Sequence, residues 1–174
     1  MTTISAHGLS QAGSRRGAEP RSLASRLADA EGALKAFLDR WSIPALRVAL
    51  GAVFVVFGVL KFFPGVSPLE PLVAATWSAL TFGVVGGQLA LILTAVLETA
   101  AGLALISGVF ARLGLVLLAV AFVGILSPIV LFTGELVTAA GPTLLGQYVA
   151  KNVVLIAAAL VIASRVLRGR AGTR

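Results

Sequence analysis

Three ionisable side chains lie within or at the edge of long apolar stretches of this sequence: Lys61, Glu98 and Lys151. An ionisable group inside a membrane segment costs roughly 2.5 to 3.5 kcal/mol on insertion scales, so each one calls for a role. Two amines and a carboxylate that converge between helices can bind the carbonyl, hydroxyl or anionic oxygens of a head group. Alternatively, they form an ion pair that fixes the register of the helices, with the lysines reaching the surface and no ligand bound.

Further polar side chains accompany these charges at helical spacing. Thr94 precedes Glu98 by four residues, as Gln147 precedes Lys151, so each pair shares a helix face. Tyr148 and Asn152 form another pair of this kind in the last apolar stretch. The ligand-binding pocket predicted from these patterns comprises Lys61, Glu98, Lys151, Thr94, Gln147, Tyr148 and Asn152.

Two arginines are interpreted differently. Arg47 lies about one turn inside the first apolar stretch, and Arg112 lies in a short connection between two others. A guanidinium at such a position reaches the lipid phosphates. We therefore predict that both arginines are anchors at the cytoplasmic rim.

The composition indicates an integral membrane protein in contact with the lipid bilayer. The chain is 58% hydrophobic and only 12% charged, with a mean hydropathy of +1.01, whereas a soluble domain is about 25% charged. Its net charge of +7 is explained by basic cytoplasmic segments, so no nucleic-acid partner is predicted.

The chemistry that this chain can perform alone is narrow. It has no cysteine, which removes thiol–disulfide exchange and iron–sulfur ligation, and its one histidine, His7, lies in a polar N-terminal stretch. No metal site, bound cofactor or nucleophile motif is predicted, and the catalytic residues are unknown. Whether the chain is an enzyme stays open; if it takes part in redox chemistry, a partner or a diffusible quinone must carry the electrons.

Apolar runs of helix length predict an all-α fold: an integral membrane four-helix bundle with an N-terminal amphipathic interfacial helix. Pro44 is compatible with the first turn of a helix, where N–H groups lack partners. The bundle is predicted at 44–165, with spans at about 44–63, 87–109, 113–133 and 144–164, and a basic cytoplasmic tail at 166–174.

Two segments precede the bundle. Residues 1–21 are polar and without periodicity, which predicts a disordered cytoplasmic tail; their Arg- and Ser-rich composition is also similar to an organellar transit peptide. Residues 22–41 repeat apolar side chains at three- and four-residue steps, as in an amphipathic helix. The basic residues and Trp41 favour a helix in the lipid headgroup region, and docking of a soluble partner is the alternative.

Residues 72–85 are apolar but interrupted by threonine, serine and glycine. They predict a short helix or re-entrant segment at the far interface, anchored by Trp77. A full extra span is disfavoured because it would have to turn at Gly86 and Gly87.

Four spans place both termini on one side of the membrane. The distribution of lysine and arginine predicts that this side is cytoplasmic, with Arg112 inside and Glu70 and Glu135 outside. The expected location is the cytoplasmic (inner) membrane of a bacterium, as a multi-pass protein.

The chain resembles the DoxX family of small four-helix bacterial membrane proteins over roughly residues 44–165. The resemblance lies in RVALGAVFVVFGVLKF, with Arg47 and Lys61, in LETAAGLALISGVFARLG, with Glu98, and in GQYVAKNVVLIAAAL, with Lys151. It implies that these four residues form the polar set. Some members of this family resemble the membrane subunit of a thiosulfate–quinone oxidoreductase, and others act with superoxide dismutase or a sulfurtransferase in oxidative-stress defence.

The expected function is therefore that of a DoxX-like membrane subunit of a quinone-linked or sulfur/oxidative-stress redox system, which binds a quinone or small anion between its spans. Its expected partners are a soluble redox protein or second subunit, and a homo-oligomer is compatible with the sequence. One alternative is a small transporter or proton path that uses Glu98. Another is a membrane scaffold that docks a soluble partner through residues 22–41.

Overall fold

The structure, a computed structural model, describes residues 23–168. The expected tail at 1–21, together with Ser22 and residues 169–174, lies outside the described residues. The elements in chain order are α1 (Leu23–Leu60), α2 (Glu70–Leu80), α3 (Gly87–Ser107), α4 (Ala111–Leu131), α5 (Thr133–Leu136), β1 (Val137–Thr138), β2 (Gly141–Pro142), α6 (Leu144–Ala150) and α7 (Asn152–Arg168).

Four stretches are long and apolar enough to cross a membrane: Leu23–Leu60, Gly87–Ser107, Ala111–Leu131 and Leu144–Arg168. The prediction of an all-α membrane bundle is confirmed. Of the expected basic tail at 166–174, residues 166–168 belong to α7, and the remainder lies outside the described residues.

The first helix differs from the expected pair of helices at 22–41 and 44–63. In the structure α1 is continuous over 38 residues with Pro44 inside it. Proline removes one backbone N–H, which leaves the carbonyl of Arg40 without its donor, but its φ angle is compatible with a helix. No glycine lies near Pro44 to end the helix there, and the expected break is absent.

Residues 23–37 belong to a compact unit separate from the rest of the described chain. They are helical, and Leu27, Leu34 and Phe37 of the apolar stripe are exposed. The amphipathic pattern is therefore present as a helix in this unit.

The fourth span also differs from a single helix, because a turn at Lys151 separates α6 from α7. The side-chain amide of Asn152 donates to the carbonyls of Tyr148 (3.0 Å) and Val149 (3.2 Å). A side chain that occupies carbonyls in this way competes with the backbone donors of the helix. The break thus lies where the sequence places a lysine and an asparagine in succession.

The connection between α4 and α6 is short and hydrogen-bonded. Strands β1 and β2 pair antiparallel, with Val137 opposite Pro142. Thr143 caps α6, since its hydroxyl accepts from the N–H of Gly146 (3.1 Å) and donates to the carbonyl of Glu135 (2.8 Å). This connection holds α6 at the end of α4.

Helices α1 and α3 run antiparallel with their backbones in close contact. A Cβ atom built on Gly51 would lie 2.7 Å from the carbonyl oxygen of Gly102, and one on Gly58 would lie 2.8 Å from the backbone nitrogen of Thr99. Small residues at such a crossing let two membrane helices pack closely. The resulting van der Waals contacts stabilise the pair in lipid, where the hydrophobic effect does not drive helices together.

The core that surrounds this crossing joins four helices. The rings of Phe54 on α1 and Phe122 on α4 meet edge to face, with centroids 5.7 Å apart. Leu105 on α3, Leu118 on α4 and Ile162 on α7 are fully buried in the same cluster. This packing fixes the register of α1, α3, α4 and α7.

The α1–α3 crossing is tested by Gly51→Ala. The added methyl group would overlap the carbonyl of Gly102, so we expect a loss of about 1–3 kcal/mol in the free energy of unfolding. Gly124→Ala on α4 is the matched control, because nothing lies within 4 Å of its Cβ position. Thermal unfolding in detergent measures both, and equal stability of the two variants would contradict the close crossing.

Candidate functional site

A cavity of about 780 Å³ lies among α1, α2, α3, α4, α6 and α7. Its walls are mostly aliphatic and aromatic, with polar side chains at a few points, which is the usual composition of a small-molecule site. The polar and charged lining residues are Lys61, Thr76, Trp77, Thr94, Glu98, Tyr148, Lys151 and Asn152. All of them belong to the bundle.

Lys61 and Glu98 form an ion pair in the cavity wall. The Nζ atom of Lys61 lies 2.6 Å from Oε2 of Glu98, and the two residues are 5% and 3% exposed. Gly58 brings the end of α1 against Glu98 and Thr99, so the close crossing of α1 and α3 positions the pair. An ion pair this deeply buried persists only when the charges satisfy each other.

The pair keeps hydrogen-bonding capacity for a ligand. An ammonium has three donors, and within residues 23–168 Lys61 uses two, to Glu98 and to the carbonyl of Phe57 (3.2 Å). In the same part of the chain only Lys61 donates to the carboxylate of Glu98, and only to Oε2. One donor and one acceptor oxygen therefore lie next to each other in the wall.

Lys151 contributes a second amine from the break between α6 and α7. Its Nζ atom lies 4.0 Å from the ring centroid of Tyr148 and 5.2 Å from that of Phe57. Aromatic faces attract a cation at these distances. The three charged residues expected in one pocket thus all line the same cavity, but Lys151 contacts aromatic rings and forms no ion pair with Glu98.

Thr94 is near Glu98 in sequence but serves a different contact. Its hydroxyl donates to the carbonyl of Ala90 (2.8 Å) and accepts from the indole N–H of Trp77 (2.8 Å). Trp77, which the sequence pattern predicts at the far membrane interface, lies on α2 and lines the cavity. The sequence predicts α2 as a short apolar helix, but no pattern in it predicts that Trp77 and Thr76 line the cavity.

Gln147 does not line the cavity, although the sequence pattern placed it there with Lys151. The residue is exposed, and its amide nitrogen lies 3.4 Å from the carbonyl of Pro142, to which it donates. The backbone N–H of Lys151 donates to the carbonyl of Gln147 (3.1 Å), so the two residues are joined by an ordinary helical hydrogen bond. Gln147 lies outside the cavity although its spacing from Lys151 is helical, and its amide turns back toward Pro142.

The two arginines interpreted as rim anchors lie at the C-terminal ends of helices. The guanidinium of Arg47 covers Gly108, the residue that ends α3 with a φ angle of 73°. Arg112 donates to the carbonyl of Val166 near the end of α7 (3.2 Å). Cations are favourable at such ends because the helix dipole is negative there. Neither arginine lines the cavity.

Comparison with protein families identifies the chain through the same helices. The model of the DoxX family matches residues 43–135, from just before Pro44 to the end of the α4–α5 region. The chain belongs to the DoxX family. Within the family match lie Arg47, Lys61 and Glu98, whereas Lys151 lies beyond it. Neither the curated proteins nor the solved structures yielded a match to this chain.

A double-mutant cycle tests the pairing of Lys61 with Glu98. Lys61→Met alone leaves a buried carboxylate without its partner, so we expect a loss of about 3–5 kcal/mol in the free energy of unfolding. Lys61→Met with Glu98→Met should lose much less than the sum of the two single variants.

The matched control for this cycle combines Glu98→Met with Lys151→Met. Because Lys151 forms no ion pair with Glu98, this second double variant should not recover stability. Additive losses for Lys61 and Glu98 in chemical unfolding would contradict the ion pair.

Proposed function

We propose that this DoxX-family protein is the membrane subunit of a quinone-linked or sulfur/oxidative-stress redox system, and that it binds a quinone head group in its cavity. The observation that carries this proposal is the Lys61–Glu98 pair in a mostly apolar cavity wall. The family match supports a membrane protein of the DoxX family.

The free donor and acceptor of the pair match the chemistry of a quinone. A quinone carbonyl accepts a hydrogen bond, and Lys61 has a donor to give. The hydroxyl of the quinol donates a hydrogen bond, and the carboxylate of Glu98 has lone pairs to receive it. One wall of the cavity therefore offers partners to both redox states of the same head group.

The electrons come from another molecule in this proposal. The chain has no cysteine, and in this proposal a soluble redox partner or a second subunit supplies two electrons to the quinone. The quinone takes up two protons from water with these electrons, and the resulting quinol leaves into the bilayer. Assembly as a homo-oligomer is compatible with this role. The protein contributes the binding cavity and a surface for the partner.

The location that fits this role is the bacterial cytoplasmic membrane with both termini in the cytoplasm. Arg47 and Arg112 support this orientation, since they gather at the end of the bundle where α3 passes into α4. The acidic residues Glu70, at the start of α2, and Glu135, in α5, lie toward the other end.

Quinone affinity tests the proposed function. Decylubiquinone titrated into protein in nanodiscs should bind the parent, and Glu98→Gln and Lys61→Met should each weaken binding about tenfold or more, because each removes a hydrogen bond to a charged group. Glu135→Gln is the control, since Glu135 is an acid that does not line the cavity. A parent that binds no quinone, or equal affinity in all variants, would contradict the proposal.

Thiol labelling tests the orientation. The cysteine-free chain allows single cysteines at Ala140, in the β1–β2 turn, and at Ser107, at the end of α3; both positions are exposed and α4 separates them. A membrane-impermeant maleimide added to intact spheroplasts should label Ala140→Cys, whereas Ser107→Cys should react only after lysis. The reverse pattern would overturn the assignment of sides.

A further inference from the structure

We propose that the cavity takes a second class of ligand besides the quinone head group, an amphiphile with one anionic oxygen head group on a long apolar tail, and that Lys151 binds this anionic head group. The inference rests on the proposed function in one respect, namely that the cavity is a ligand site. It adds an anionic ligand class and the residue that selects it.

The charges that line the cavity do not cancel. Lys61 and Glu98 neutralise each other at 2.6 Å, so the pair has no net charge. Lys151 lines the same cavity and forms no ion pair with any carboxylate of residues 23–168. The lining therefore has one uncompensated positive charge.

The surroundings of Lys151 hold its amine in place without neutralising it. Its Nζ atom lies over the rings of Tyr148 and Phe57, and both rings line the cavity. A ring quadrupole stabilises a cation and leaves its net charge unchanged, so the three ammonium donors stay available to an anion. The amide of Asn152 is occupied by the carbonyls of Tyr148 and Val149, which keeps the turn that presents Lys151.

The remaining surface of the cavity suits an alkyl tail. Lining residues on α4 and α7 include Val123 and Val154, which are 66% and 70% exposed although they line the cavity. Both helices belong to candidate membrane spans, so the cavity opens on the side where lipid chains lie. A ligand that enters there is lipid-soluble, which favours an amphiphile over a small free anion.

The charge of the lining and the open apolar side of the cavity together favour an anionic amphiphile over a neutral one. Lys151 is exposed, so a ligand can reach its amine. An anionic head group on Lys151 cancels the unpaired charge of the lining, whereas a neutral head group leaves it. A hydrogen bond to a charged partner accounts for a preference of about tenfold or more. A long-chain carboxylate and a single-chain phosphate monoester share this chemistry.

The experiment compares probes that differ in head-group charge. The full-length protein in a neutral detergent is titrated with oleate, methyl oleate and lysophosphatidate, and bound molecules are counted by native mass spectrometry. The parent should bind oleate about tenfold or more tightly than methyl oleate. Tighter binding of lysophosphatidate than of oleate would assign the head group to a phosphate, and the reverse would assign it to a carboxylate.

Variants of Lys151 test whether this residue causes the preference for oleate over methyl oleate. Lys151→Met should reduce the ratio of oleate to methyl oleate affinity to about one, and Lys151→Arg should keep most of the preference, because the charge is retained. Arg165→Met is the control, since Arg165 is a cation on α7 that does not line the cavity.

The outcomes separate this inference from the proposed function. Equal binding of oleate and methyl oleate by the parent, together with binding of decylubiquinone, would overturn the anionic preference and leave the quinone proposal standing. A charge preference that survives in Lys151→Met would also overturn the inference. Absence of binding by all probes, decylubiquinone included, would reject both.

Discussion

The close approach of α1 to α3 is the constraint on which the rest of the structure depends. Gly51 and Gly102 let the two backbones meet, and Gly58 lets the end of α1 pass directly over Thr99. Any larger side chain at these positions would move the helices apart. Because the helices cross this closely, the amine that follows α1 reaches Glu98 on α3, and a buried charge that would otherwise destabilise the bundle acquires its partner.

The fold follows from the sequence where a single physical requirement dominates. Long apolar runs must be helical in lipid, since every backbone group needs an internal partner, and this was enough to predict the spans. The fold differs from the expectation at two places, the uninterrupted helix α1 and the turn between α6 and α7. Each difference arises at a single residue whose effect on a helix depends on its surroundings. Pro44 was compatible with either a helix start or a helix interior, and the turn at Lys151 depends on an Asn152 side chain that captures two carbonyls.

The candidate site was predictable to the extent that charge in lipid is costly. That cost singled out Lys61, Glu98 and Lys151, and the structure gathers them around one cavity. Contacts between helices that are separate in the sequence could not be predicted, because no local pattern of residues indicates them. Trp77 reaches Thr94 because α2 folds against α3, and the side-chain amide of Gln147 donates to the carbonyl of Pro142 outside the cavity.

The contact between Lys61 and Glu98 is tested most directly by solid-state NMR of the protein in liposomes, with ¹⁵N-labelled lysine and ¹³C-labelled glutamate. The chain has only three lysines, at 35, 61 and 151, which makes the spectrum assignable. The account predicts a strong through-space correlation between lysine Nζ and glutamate Cδ that disappears in Lys61→Met. A parent spectrum without that correlation, or one unchanged by Lys61→Met, would show that the two charges are not in contact.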